Sequence, residues 1–276
     1  MLGIIFRGMA VGITETVPGI SGSTVAMILG IYERLIYSLS ILTTKHRREA
    51  LPFLFTFGTG MVIGFAISIF IINYLLSYYR TPTLMFFIGI IVGFLPYLWK
   101  ETLHHSKNKI KLKHYIIMFL FLSIVVLSQP LSDINQMDLN NLAIADYIFF
   151  AVAGFIASTA LVLPGISGAL ILIILGIYDI ATTSLMSFDL PIILAIGSGI
   201  VLGVLLTSRL IRYLLTNYTV ETYSAMIGLV SGSIYAIWYH LDSIVSTSTA
   251  VVSLITFLGG IAFIITLKQT QNNKFY

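Results

Sequence analysis

Cysteine is absent from the 276 residues, which excludes disulfides, thiolate nucleophiles and thiolate metal sites. Charge is scarce: 9% of the residues are Asp, Glu, Lys or Arg, 58% are hydrophobic, and the mean hydropathy is +0.99. A soluble domain carries about 25% charged and about 45–50% apolar residues. This much apolar surface cannot be hidden inside one globule, so the chain reads as an all-α polytopic membrane protein. No basic n-region precedes a cleavable apolar stretch, so no signal peptide is expected. The formal net charge of +4 then reflects loop bias toward one leaflet rather than nucleic-acid binding.

Catalytic signatures are missing as well. There is no H-E-x-x-H, no Walker loop and no G-x-S-x-G. His46, His104, His105, His114 and His240 lie in expected loops or at span ends. The serines of the one unusual motif have no histidine or paired carboxylates beside them to activate a nucleophile. No enzyme, cofactor or metal centre is expected.

Basic residues are missing from particular loops. Segments 130–147, 179–190 and 240–249 hold no Lys or Arg but do hold Asp133, Asp138, Asp146, Asp179, Asp189 and Asp242. Loop 43–52 has Lys45, Arg47 and Arg48, loop 100–113 has five lysines, and the tail has Lys268 and Lys274. Lys and Arg mark cytoplasmic loops, so the basic segments and both termini are expected inside and the acidic ones outside. Arg80 alone lies on the wrong side. Six apolar segments approach the ~20 residues that a span needs, at 53–76, 81–99, 114–129, 191–215, 220–239 and 250–267.

What the chain does have is a broken segment that occurs twice. "ETVPGISGSTVAMILGIY" (15–32) and "LVLPGISGALILIILGIY" (161–178) interrupt apolar stretches with Pro-Gly-Ile-Ser-Gly. Ten of fifteen positions agree between Pro18–Tyr32 and Pro164–Tyr178. Downstream, at an offset of 139, Gly58, Gly60 and Gly64 match Gly197, Gly199 and Gly203, and Gly89, Gly93 and Trp99 match Gly228, Gly232 and Trp238. The arms after each break, 23–32 and 169–178, are about ten residues, or about 15 Å of helix, which reaches half-way across. Each motif region therefore reads as a re-entrant helical hairpin, the alternative being a kinked full span. The charge pattern fits if each crosses an even number of times. Each half is then a hairpin plus three spans, and residues 1–129 and 143–267 form an inverted repeat followed by a cytoplasmic tail at 268–276. Inverted repeats with broken helices are the build of many secondary transporters.

Backbone groups freed in hydrocarbon persist only where protein buries them or a wet cavity meets them. The following half-helix should begin near Ser21 or Ser23 and near Ser167, serine being a good N-cap. Exposed N–H groups there favour an anion such as phosphate; alternatively the two loops simply pack on each other. Glu15 is a candidate for a coupling proton or cation such as sodium, or for a pair with Arg7. Arg7 draws phosphate from inside or snorkels. Arg80, Arg209 and Arg212 are secondary phosphate candidates or interfacial anchors. The glycine-rich stretches 58–64, 89–93 and 197–203 read as close-packing helix faces.

The doubled "PGISGS" and "PGISGA", each followed by "LGIY", resembles a bacterial family long filed as a membrane domain of unknown function and now regarded as polyprenyl-phosphate transporters, the undecaprenyl phosphate translocases. The resemblance covers about residues 3–267. It implies return of undecaprenyl phosphate from the outer to the inner leaflet of the bacterial cytoplasmic membrane for cell-wall polymer synthesis; in such a flippase, rocking of one half against the other would move the head group across. By the motif match, Pro18, Gly19, Ser21, Gly22 and Ser23, with Pro164, Gly165, Ser167 and Gly168, would belong to the phosphate site. The motif is also similar to the Pro-Gly-x-Ser-Arg-Ser loop of integral-membrane undecaprenyl-diphosphate phosphatases, but Gly22 stands where that family has arginine. A small-anion transporter is the third reading. The sequence sets no oligomeric state.

Overall fold

In a computed structural model of the chain, residues 2–15, 21–107, 109–129, 143–239, 241 and 247–272 are described. Every regular element among them is an α-helix. In chain order these are α1 (Leu2–Thr14), α2 (Gly22–Ile28), α3 (Tyr32–Ile41), α4 (Arg47–Tyr78), α5 (Arg80–His105), α6 (Leu112–Ser128), α7 (Ile144–Val162), α8 (Gly168–Ile174), α9 (Tyr178–Ser187), α10 (Leu190–Asn217), α11 (Thr219–Tyr239) and α12 (Thr247–Asn272). Each of the six expected spans falls essentially within one helix. Among the described residues, four segments are long and apolar enough to cross a membrane, one each within α4, α5, α10 and α12. The other two expected spans are α6, a shorter apolar helix, and α11.

The expected loop at 179–190 is mostly helix, because the LGIY segment ends one helix and starts another. Gly30 and Gly176 adopt φ of 69° and 72°, the left-handed conformation that glycine supplies at a helix C-terminus. The half-helices α2 and α8 therefore stop at Ile28 and Ile174, and α3 and α9 begin at the two tyrosines. Pro191 at the start of α10 follows Asp189, whose carboxylate accepts the Ile192 N–H at 3.5 Å, an N-cap of the usual kind.

Small residues set the helix contacts. Gly8 and Gly12 of α1 press on the α4 backbone, and Gly60 and Gly64 of α4 press back on α1. Gly154 of α7 meets α10, while Gly199 and Gly203 of α10 meet α7. Gly89 of α5 and Gly260 of α12 face each other's helices, and Gly228 and Gly232 of α11 seat α6. Lipid tails are as apolar as leucine, so packing drives association and small residues that allow close approach are favoured. Gly58 and Gly197 have nothing within 4 Å of an added Cβ, so the stretches 58–64 and 197–203 are packing faces only in part, whereas both glycines of 89–93 pack against α12.

The closest helix pairs are α1 with α4, α7 with α10, α5 with α12 and α6 with α11. The last two pairs join a helix from one half of the chain to a helix from the other. Phe87, Ile91 and Phe94 of α5, Val230 and Ile237 of α11 and Ile264 of α12 share one buried cluster. The two halves are thus interleaved rather than separate bodies.

Candidate functional site

The two broken segments meet. A helix end leaves its last carbonyls without intrahelical partners, and in an apolar setting each unsatisfied group costs several kcal/mol. At the end of α7 the first half of the chain supplies the partners. Tyr32 donates its hydroxyl to the Val162 carbonyl at 2.9 Å. The Ser21 hydroxyl donates to the Leu163 carbonyl at 3.4 Å. The freed Gly165 N–H donates to Thr24 Oγ1 at 2.8 Å. Gly165 has φ 92°, and an added Cβ would lie 2.6 Å from the Leu229 carbonyl oxygen, so α11 closes over this turn.

Ser21 occupies the N-cap position of α2 with extended backbone, but its hydroxyl makes no cap hydrogen bond; besides Leu163 it bonds Ser23 Oγ at 2.6 Å. Glu15 reaches over instead and accepts the Gly22 N–H at 3.1 Å. A side chain at Gly22 would collide with that carboxylate and with Val11. Ser21, Ser23 and Thr24 are buried, as is Ser167. Pro18 and Gly19 lie outside the described residues.

The structure therefore brings together Glu15, Ser21, Gly22 and Ser23 with Gly165, next to Pro164 in the chain. It separates these from the arginines. Among the described residues Glu15 and Arg7 form no ion pair, and Arg7 is exposed on α1. Arg80 is exposed at the start of α5. Arg209 and Arg212 of α10 grip α3: Arg209 bonds the Thr43 hydroxyl, and Arg212 donates to Ser40 Oγ at 3.1 Å with its guanidinium 4.5 Å from the Tyr37 ring centroid.

Sequence reasoning missed Thr24 and Tyr32. Tyr32 had a signal, since the LGIY tyrosine recurs at Tyr178. It also missed a cavity of about 410 Å³ beyond the joint, bounded by Gly30, Tyr32, Glu33, Tyr97, Lys100 and Tyr223. Tyr223 donates to Glu33 Oε1 there at 3.0 Å. On the last turns of α5, Glu101, His104 and His105 hold ligand-type atoms within 4.8 Å of one another, all three exposed; His105 stacks on Tyr223, with ring centroids 5.4 Å apart.

A family described as undecaprenyl phosphate translocase-like matches residues 11–256. The chain belongs to this family. The polyprenyl-phosphate transporter of Staphylococcus aureus (strain NCTC 8325 / PS 47) is 33% identical over 279 residues, covering 98% of this chain and 97% of that protein. The polyprenyl-phosphate transporter of Vibrio cholerae serotype O1 is 29% identical over 245 residues, covering 84% and 76%. No solved structure matches the chain. The match takes in both Pro-Gly breaks and the helices that carry the joint.

Proposed function

We propose that the protein carries a polyprenyl phosphate, undecaprenyl phosphate in particular, from the outer to the inner leaflet of the bacterial cytoplasmic membrane, with both termini inside. The reading makes the two halves, 1–129 and 143–267, an inverted repeat whose re-entrant hairpins meet near the midplane. The observation that carries it is the joint itself. Two interrupted helices bring main-chain amides and serine hydroxyls to one buried place, the chemistry a phosphate head needs in a low-dielectric setting, and the family kinship supplies the cargo.

In the described conformation those groups bond one another. A passing phosphate exchanges the Ser21–Leu163 and Gly22–Glu15 bonds for its own, while the polyprenyl tail stays in lipid. Pro18, Gly19, Ser21, Gly22 and Ser23 act with Pro164, Gly165, Ser167 and Gly168; Arg7 draws the head toward the basic face. Glu15 takes up a coupling proton as the anion arrives, because two negative groups cannot share one amide. The return of the carrier lipid serves cell-wall polymer synthesis.

The test is reconstitution. Purified protein in phosphatidylcholine–phosphatidylglycerol vesicles should move a fluorescent polyprenyl phosphate between leaflets at least tenfold faster than empty vesicles. Ser21→Ala with Ser23→Ala should remove most of that rate. Unchanged leaflet exchange in the presence of the protein refutes the reading, and release of inorganic phosphate from polyprenyl diphosphate would replace it with hydrolysis.

A further inference from the structure

The geometry points to the cavity beyond the joint as a second station for the phosphate monoester head of the lipid, at the basic end of the molecule, held by Lys100 and Lys268. The inference rests on the transport reading for the identity of the lipid, and concerns residues that lie outside the joint.

Five helices (α2, α3, α5, α11 and α12) and the LGIY turn converge on this space, and they bring cations with them. Lys100 of α5 and Lys268 of α12 line it, with His104. Arg7 of α1 is near enough to Lys268 for the two positive charges to repel. Lys100 and Lys268 reach one space from two helices, and an anion between them is attracted by both. Glu33 and Glu101 also line the cavity. Glu33 is held at the wall by the Tyr223 hydroxyl, and Glu101 lies near enough to Lys268 to attract it. These carboxylates compete with a bound phosphate for the lysines, which suits a station that must let its guest go: conduction requires binding strong enough to enter and weak enough to leave. Basic pockets between membrane helices on the cytoplasmic side recognise lipid head groups in this way.

The rest of the wall fits an amphiphile rather than a free ion. Met27, Phe94, Tyr97 and Leu98 line the same space, and the Lys268 ammonium lies 5.5 Å from the Phe94 ring centroid. An isoprenoid chain beginning at the phosphate meets aromatic and aliphatic side chains at once.

The station is one-sided. At the repeat offset, Lys100 corresponds to Tyr239 and Lys268 to Gln129, so the equivalent place in the other half has no cation pair. A head that has passed the joint toward the basic end meets a charge partner that it lacks on the other side.

Lysine acylation tests this on the unsubstituted full chain in detergent micelles. N-acetoxysuccinimide labelling of individual lysines is read by mass spectrometry, with Lys45 as the distant reference. Geranylgeranyl phosphate should slow labelling of Lys100 and Lys268 at least threefold relative to Lys45, and geranylgeraniol should not. The double variant K100Q/K268Q should bind geranylgeranyl phosphate at least tenfold more weakly, and K100R/K268R should restore binding. Equal protection by inorganic phosphate or by phosphatidylglycerol overturns the assignment in favour of a general anion site, and absence of protection overturns it outright. Vesicles that move polyprenyl phosphate while both lysines stay unprotected sink the station alone. Protection without any lipid movement supports the station and sinks the transport reading.

Discussion

Gly165 and Gly30 both hold left-handed backbone, but only one of them is crowded, and that difference sets their expected response to alanine. An L-residue in this region costs about 1–2 kcal/mol. At Gly30, with φ 69° and nothing within 4 Å of a built Cβ, that strain is the whole cost. At Gly165, with φ 92°, the new methyl falls 2.5 Å from the Val230 nitrogen and 2.6 Å from the Leu229 carbonyl oxygen. Those are main-chain atoms inside α11, which cannot swing aside as a side chain would. Forcing a group into a filled interior adds about 1–3 kcal/mol. Gly165→Ala should therefore cost roughly 2–5 kcal/mol and Gly30→Ala about 1–2 kcal/mol. At ~2–4 °C per kcal/mol for a chain of this size, the two midpoints should separate by several degrees. The assay is thermal denaturation in detergent, read as the loss of the monodisperse peak on size-exclusion chromatography. Equal midpoints for the two variants, or a Gly165→Ala protein as stable as the parent, would refute the closed turn against α11.

Three further substitutions probe the joint and its supports. Thr24→Val leaves the buried Gly165 N–H without its acceptor and should lower stability by about 1–3 kcal/mol, whereas Thr24→Ser should stay near the parent in the same thermal assay. Gly22→Ala drives a methyl into the Glu15 carboxylate, so Glu15→Ala should relieve much of its cost; a double-mutant cycle with strictly additive losses would contradict the Glu15–Gly22 contact. Arg212→Ala removes the Ser40 bond and the stacking on Tyr37, a loss of about 1–2 kcal/mol, and amide exchange along α3 should quicken roughly tenfold as local opening becomes easier.

Hydropathy and punctuation made much of this molecule legible. The six apolar runs were long enough to name, and the two Pro-Gly breaks stood out because Pro, Gly and Ser are out of place in a span. Helices α3 and α9 were hidden for a local reason. Tyr32–Ile41 mixes Glu33, Arg34, Ser38 and Ser40 with its leucines and isoleucines, so it resembles the start of a loop after a charged end, and the terminating role of Gly30 depends on a φ value that a sequence does not write down. Partner identity was hidden for a general one. Periodicity says that a helix has a buried face, not which helix covers it, so the pairing of α5 with α12 and the bond from Thr24 to Gly165 had no signature. In the sequence Lys100 and Lys268 are leaflet markers, because a lysine near a helix end is usually solvated; convergence across five helices is a property of the assembled chain alone.

The interleaving of the two halves bears on how the protein is made. Helices α5 and α6 emerge from the ribosome and enter the bilayer long before α11 and α12 exist to cover them. The glycine face of α5 and the face of α6 that receives Gly228 and Gly232 wait, open to lipid or to insertion factors, until α11 and α12 arrive. A stalled or truncated nascent chain would lack the partners of its own central helices, so quality control has a clear criterion for removing it, and completion of the C-terminal helix becomes the step that commits the molecule to its folded form.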